Sequence, residues 1–203
     1  MKRLYLIILI ILFTVSGCLK NPFYTRNSQQ PAGTTGTWET PATPEVMIAN
    51  LMYAYNEKNI QNYRDCFDSG FVFSAFEDSI EAEAQGNGYL FQFWDKAVEI
   101  MTAENIFATF SQNDNHLDLI MGISIDNPDN IGDTLAVLYR NYTLTIIRSD
   151  SLQTDTTAAE GLASFTLNQT SLNLWTICLW EEVPSGRSDY DWGDFKAEYR
   201  NRC

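Results

Sequence analysis

LMYAYNEKNIQNYRDCFDSGFVFSAF, residues 51–76, places two helical patterns and a strand pattern in one aromatic run. Leu51, Met52 and Tyr55 extend a stripe that begins at Ile48 and recurs at helical spacing. Upstream of it, Thr43 suits an N-cap, Pro44 the first helical position and Glu45 the first turn. Asn59 predicts a second start, with Ile60, Tyr63 and Phe67 on the buried face and Asp68-Ser69-Gly70 as the stop. The short aromatic segment 71–76 predicts a strand.

Further along, EDSIEAEAQGNGYLF is polar and ends in a Gly-Asn-Gly turn signal. A third helix is predicted over 92–103, with Trp94, Ala97, Val98 and Met101 inward and Asp95, Lys96 and Glu99 outward. From Leu117 the period drops to two: Leu117, Leu119, Met121, Ile123 and Ile125 alternate with Asp118, Ile120, Gly122 and Ser124. The run DNPDNIGD, 126–133, turns the chain into a second long strand at 134–148. There Leu135, Val137 and Tyr139 share one parity and Tyr142, Leu144 and Ile146 the other, so a bulge near Arg140-Asn141 is expected to restore a common face. Strands at 158–168 and 172–182 complete four consecutive antiparallel segments. DWGDFKAEYR closes the pattern as a short helix or hook carrying Trp192, Phe195 and Tyr199. The order of elements is that of an α+β domain.

These pieces, in this order, resemble the NTF2-like superfamily over residues 44–199. The carriers are Tyr63-Arg64-Asp65-Cys66-Phe67, the aromatic strand 71–76, then Gly161, Phe165, Leu167, Trp175-Thr176-Ile177 and Trp180-Glu181. With Trp192-Gly193-Asp194-Phe195-Lys196, this tail resembles a group of uncharacterised bacterial lipoproteins of that fold. The resemblance implies a cone: a bent antiparallel sheet wrapped around three N-terminal helices, with an open end that is often an aromatic-lined pocket. Members range from isomerases and dehydratases to binding and dimerisation modules, so the fold does not name the activity. No catalytic motif transfers from the lipoprotein group.

The chain begins MKRLYLIILIILFTVSGCLK, where Lys2 and Arg3 precede an apolar run over 4–15 that ends in Ser16-Gly17. That predicts a secretory signal peptide over 1–17, its apolar run well short of the roughly 20 residues of a membrane span. Val15-Ser16-Gly17-Cys18 resembles the lipobox of bacterial lipoproteins, which implies cleavage before Cys18 and a diacylglyceryl group on its sulfur. At about 0.8 kcal/mol per buried CH₂, two or three palmitate-like acyl chains would hold a domain on a membrane almost irreversibly. Leu19 after the cysteine implies outer-membrane sorting, and hence a cell-envelope protein facing the periplasm or the cell surface. A plain signal peptide with a chance cysteine is the alternative. Residues 18–43, rich in Thr, Pro, Gly, Asn and Gln, are expected to form a flexible tether with a reach of about 25 to 30 Å. The NTF2-like domain is then 44–203.

The formal charge is −13 and rises in magnitude by two when Lys2 and Arg3 leave with the signal peptide. Such acidity excludes nucleic acid and disfavours anionic headgroups. The single histidine, His116, reads as a solvent-facing residue at a strand start, and neither a Ser or Cys triad nor a zinc site can be assembled. DNPDNIGD offers oxygen donors yet fails the calcium-loop spacing, because Ile131 falls where a ligand belongs and no closing Glu follows. Besides Cys18, Cys66 and Cys178 read as separate buried thiols, with a disulfide between them as the alternative, and Cys203 as a loose terminus.

No cofactor is expected. Asp118 and Glu181 are the carboxylates that interrupt apolar strands, and alternation turns Asp118 to solvent. Tyr63, Phe73, Trp94, Tyr139, Trp175 and Trp180 are the candidate pocket-lining rings for a small apolar ligand, with core packing as their first role. The resulting expectation is a lipid-anchored binding or homodimerising module. A cofactor-free isomerase, dehydratase or hydrolase working through a carboxylate in the cone is the alternative.

Overall fold

Thr43 begins the fold as its residue type suggests: its hydroxyl accepts from Val46 N, and helix α1, Pro44–Asn56, follows with Met47, Ile48, Leu51, Ala54 and Tyr55 buried along one stripe. The computed structural model describes residues 36–112, 114–149, 153–183 and 190–200. Asn59 caps α2, Ile60–Asp65, through a 3.2 Å bond from Asn62 N. Strand β1, Phe67–Ala75, starts earlier than its aromatic core suggests, so Phe67 belongs to the strand and not to the helix before it. The polar run becomes α3, Phe76–Ala84, and a 3₁₀ turn, Gly88–Phe91.

Helix α4, Lys96–Phe110, differs from expectation in extent and in face. Asp95 is its N-cap, accepting from Val98 N at 3.0 Å, so Trp94 lies outside the helix. Its buried stripe is Glu99, Ile100, Thr102, Ala103, Ile106, Phe107 and Phe110, while Ala97 is exposed. The last two turns, bearing Ile106, Phe107 and Phe110, set the orientation, and Glu99 is carried inside with them.

Strands β2 (His116–Ile123), β3 (Asn130–Ile131), β4 (Leu135–Ser149), β5 (Thr154–Gln169) and β6 (Trp175–Val183) complete the sheet. The order is β1-β6-β5-β4-β2, with β3 paired to the start of β4. Neighbours in β2, β4, β5 and β6 are antiparallel, as expected, but β1 joins β6 in parallel. The concave face of this bent sheet is covered by α1, which packs on β2, β4 and β6, and by α4, which packs on β1.

The expected bulge at Arg140-Asn141 is absent: β4 pairs without interruption with both β2 and β5. One phase runs throughout, with Ala136, Leu138, Arg140, Tyr142, Leu144 and Ile146 buried and Leu135 half exposed. What disguises the pattern is Arg140, whose guanidinium is buried 2.8 Å from Asp129 Oδ1. Asp129 also accepts from Tyr139 N, so the DNPDNIGD loop serves as counter-charge and hairpin connection. The sheet's irregularities lie instead in β6, opposite Thr166–Leu167 of β5, and along β1.

Residues 36–43 have the composition of the expected tether and are nevertheless fastened to the domain. Asn50 exchanges two bonds with the backbone of Glu39, Glu57 accepts from Thr37 N, and Pro41 O accepts from Trp175 N. The signal peptide, Cys18 and the remainder of the tether lie outside the described residues, as does Cys203. Cys66 and Cys178 are free thiols, Cys66 fully buried and Cys178 partly so. Among the described residues no helix is long and apolar enough to cross a membrane.

Candidate functional site

The chain's closing segment determines what the cone can hold. Helix α5, Trp192–Ala197, is short, and it forms because Asp191 and Asp194 make a reciprocal capping box at its start. Trp192, Phe195, Lys196 and Tyr199 fall at helical spacing on one face, and each exposes at most 1% of its surface. Trp192 meets Tyr55 of α1 edge-on at 4.9 Å and Trp180 of β6 at 4.4 Å. Its indole donates to Tyr55 OH at 3.1 Å and its backbone N–H to Tyr142 OH at 3.0 Å. Tyr142 lies flat over Gly161 on the neighbouring strand, where any Cβ would come within 2.4 Å of the phenol oxygen.

Beneath the hook, Lys196 Nζ lies 3.2 Å from the centre of the Trp180 ring and 3.9 Å from that of Phe73. It is 2.9 Å from Glu99 Oε1, an ion pair whose angles fall short of a hydrogen bond. Glu99 is held further by Tyr63 OH, 2.5 Å from Oε1, and by Trp94 Nε1, 2.8 Å from Oε2. Tyr63, Trp94, Glu99, Trp180, Trp192 and Lys196 expose 0–2% of their surfaces, so among the described residues this interior is closely packed. Burial draws the Lys196 ammonium pKa down, and Glu99 opposes that shift.

Neither a family model nor a curated protein sequence matches the chain. Solved structures do. A conserved protein of Planctomyces limnophilus is 10% identical, with a TM-score of 0.50 over 70% of this chain and 94% of that one. An NTF2-like superfamily protein of Salmonella enterica is 18% identical, with a TM-score of 0.44 over 70% and 89%. A ketosteroid isomerase-like protein of Erwinia carotovora is 12% identical, with a TM-score of 0.45 over 71% and 97%. At such identities the likeness concerns architecture alone, and the fold assignment is carried by the helix order and strand order already described.

The fold is NTF2-like.

Within this NTF2-like cone, four of the expected pocket rings come together, as walls of a filled interior: Tyr63 and Trp94 hold Glu99, and Phe73 and Trp180 face Lys196. Tyr139 stands on the opposite, convex face of the sheet, because its parity in β4 is that of Val137 and Thr143. Trp175 lies away from them, where with Trp38, Pro41 and Phe67 it lines an open cleft of about 470 Å³. Asp118, Glu181 and His116 are exposed.

The ionisable groups that matter were hidden from a reading by residue type. Glu182 follows Trp180 by two residues and shares its face; its carboxylate accepts from Tyr142 OH at 2.6 Å and from Trp180 Nε1 at 2.9 Å. Burial and then Asp191 push this carboxyl up to about 8, against those bonds and Lys196. Glu99 shares its stripe with Ala103, Ile106 and Phe110, and Lys196 follows Trp192 by one helical turn. Each could have been found from spacing once the helix limits were known.

Three carboxylates meet at the outer edge of the hook. Asp78 of α3, Asp191 and Asp194 bring oxygens within 4.8 Å of one another, the group of acids among the described residues that could hold a metal ion. The last two already cap α5. Among the described residues no donor faces the buried Asp78 Oδ2, and a proton there would bond Asp191. Burial, Asp191 and Asp194 accordingly push Asp78 up to about 8; burial and Asp191 push Asp194 up to about 6. A proton held by Asp78 would clasp hook to helix.

Proposed function

We propose that this chain is a lipid-anchored protein of the bacterial cell envelope whose NTF2-like domain acts as a non-catalytic binding or dimerisation module. The observation that carries the non-catalytic part is the filled cone: the hook's Trp192, Phe195 and Lys196 stand where a ligand would have to enter, and both oxygens of Glu99 are engaged. The convex face of the sheet offers a surface for pairing, with Ile120 exposed and Tyr139, Ile147 and Leu179 half-buried on it. The membrane address rests on the signal-peptide pattern and Cys18, with Leu19 at the next position permitting sorting to the outer membrane.

Titration with a small apolar fluorophore tests the filled cone. No saturable interior binding is expected; a one-to-one site whose occupancy quenches the buried tryptophans would overturn the proposal. Fatty-acid labelling of the natural chain against Cys18→Ala tests the anchor, with label expected in the first alone. Sedimentation of the natural chain against Ile120→Lys tests the homodimer, a charge on the convex face being expected to leave monomer.

The alternative, a cofactor-free isomerase, dehydratase or hydrolase, is favoured by one observation: Glu182 is partly exposed and carries a raised pKa beside Tyr142. Its two oxygens already accept from Tyr142 and Trp180, which argues for a structural role.

A further inference from the structure

Helix α3 contributes no buried residue to the domain. It carries Phe76 and Ile80 four residues apart, on one face, and both are more than half exposed. Across from Ile80, the 3₁₀ turn supplies Phe91, and the two line a cleft of about 390 Å³ with Ser79, Glu83, Gly88 and Gln92. Tyr89 and Phe93 are exposed beside them, Phe93 at 90%.

Phe93 is also held in a left-handed backbone conformation, φ +53, which bulky residues avoid. The surroundings impose it. Arg200 donates to Leu90 O and, at 2.6 Å, to Gln92 O, and its guanidinium lies 4.9 Å from the centre of the Trp94 ring. Trp94 O in turn accepts from Phe73 N at 2.9 Å. The residues on either side of Phe93 are thus pinned to the body while its ring is presented to water, a strained display of the kind that functional surfaces keep.

The frame of this ledge is acidic. Glu77, Glu81 and Glu83 are exposed on α3, and no Lys, Arg or His occurs between Phe76 and Asp95. Apolar side chains beside three exposed glutamates, with the Arg200 guanidinium turned to the Leu90 and Gln92 carbonyls and the Trp94 ring, complement a segment that has apolar and basic side chains on one face. We infer that the ledge formed by α3 and the 3₁₀ turn docks a cationic amphipathic segment of a partner protein. This rests on the reading of the domain as a binding module and names the surface and the chemistry of its partner. A lipid surface fits less well, because anionic headgroups are repelled by the same three glutamates.

The test is fluorescence anisotropy of a labelled amphipathic Lys/Leu helical peptide titrated with the full chain. Saturable, salt-sensitive binding is expected. Glu77→Lys with Glu81→Lys, or Phe93→Asn, which keeps a residue tolerant of positive φ, should each weaken it about tenfold or more. Asp126→Lys with Asp155→Lys, an equal charge reversal on exposed acids elsewhere, should change it by less than about twofold. Equal losses from both reversals would mean that overall acidity binds the peptide, and the inference falls. Binding of phosphatidylcholine vesicles that needs Phe93, without peptide binding, would also overturn it in favour of a membrane. Either failure leaves the filled cone intact, whereas a saturable interior ligand would remove the filled cone on which the proposed function rests and leave the ledge untouched.

Discussion

Helices α3 and α5 are both short and both carry acid in the first turn, yet they end in opposite surroundings. The first, FEDSIEAEA, is rich in Glu and Ala, which favour helix, and has no fully buried residue; the second, WGDFKA, contains a glycine and buries Trp192, Gly193, Phe195 and Lys196. Propensity therefore does not decide which helix joins the core. The decision lies in what opposes each face: α5 meets Tyr55, Tyr142 and Trp180, and for its one buried cation it finds Glu99. No such partner exists among the described residues for Phe76 or Ile80, and they remain in water. A short helix is buried when distant elements supply both shape and counter-charge.

The sharpest way to break this contrast is to remove the counter-charge. Lys196→Ala leaves Glu99 buried opposite a cavity, and the loss of one partner of such a pair costs about 3 to 5 kcal/mol. Urea unfolding measures it; a loss below about 1 kcal/mol would mean that water reaches the pair and that the cone is not filled. Trp180→Ala should cost a similar amount, about 3 to 5 kcal/mol, since its ring packs against Phe73, Phe165 and Trp192.

Gly193→Ala probes the join between the two helices. A Cβ there would lie 2.1 Å from Asp78 Oδ2 and 3.0 Å from the Ala75 Cβ. Asp78 can swing away but Ala75 cannot, so a destabilisation of about 1 to 3 kcal/mol is expected in melting experiments. An unchanged melting temperature would show that hook and α3 separate easily.

What could be read in advance, and what could not, follows the same division. Helix starts at Thr43 and Asn59 and the alternation of β2 as far as Leu119 were legible because each depends on neighbours a few residues apart; beyond it Ile123 and Ile125, expected on the buried face, are exposed. The phase of β4 was not, because Arg140 looks like an outward residue until Asp129 is seen beside it. Glu99 was assigned to water for the same reason, its partner Lys196 being far along the chain. Residues 36–43 carry the composition of a linker, and only the folded body offers Asn50, Glu57 and Trp175 to fasten them. Of the candidate pocket, the membership of Tyr63, Phe73, Trp94 and Trp180 was legible as aromatic content, whereas the hook that fills the space between them was read only as packing.

A gentler probe uses protons. Asp78 and Glu182 are raised to about 8 and Asp194 to about 6, all above the values near 4 of an unfolded chain. Between about pH 4 and about pH 8 the folded state therefore holds more protons, so stability is greatest on the acid side and falls as pH rises through that window. Lys196, shifted down, contributes with the opposite sign. Asp78→Asn isolates one member: the substitution keeps the shape, cannot ionise, and can donate to Asp191. Its unfolding free energy should vary less with pH than that of the natural chain and exceed it above about pH 8. Parallel pH profiles for the two proteins would show that no proton is shared at the clasp.

The smallest effect belongs to α3 itself. Ile80 is more than half exposed and its helix has no fully buried residue, so Ile80→Ser removes little apolar contact and stability should move by less than about 0.5 kcal/mol. The same substitution on the face of α5, at Phe195, would fall among Phe110, Tyr199 and the Arg148 guanidinium and would be felt throughout the core. If Ile80→Ser were instead as damaging as a core change, α3 would have to be packed against something, either a second copy or a rearranged hook. The measured melting temperature would then vary with protein concentration in the first case and not in the second, because mass action stabilises only a folded state that binds its own copy.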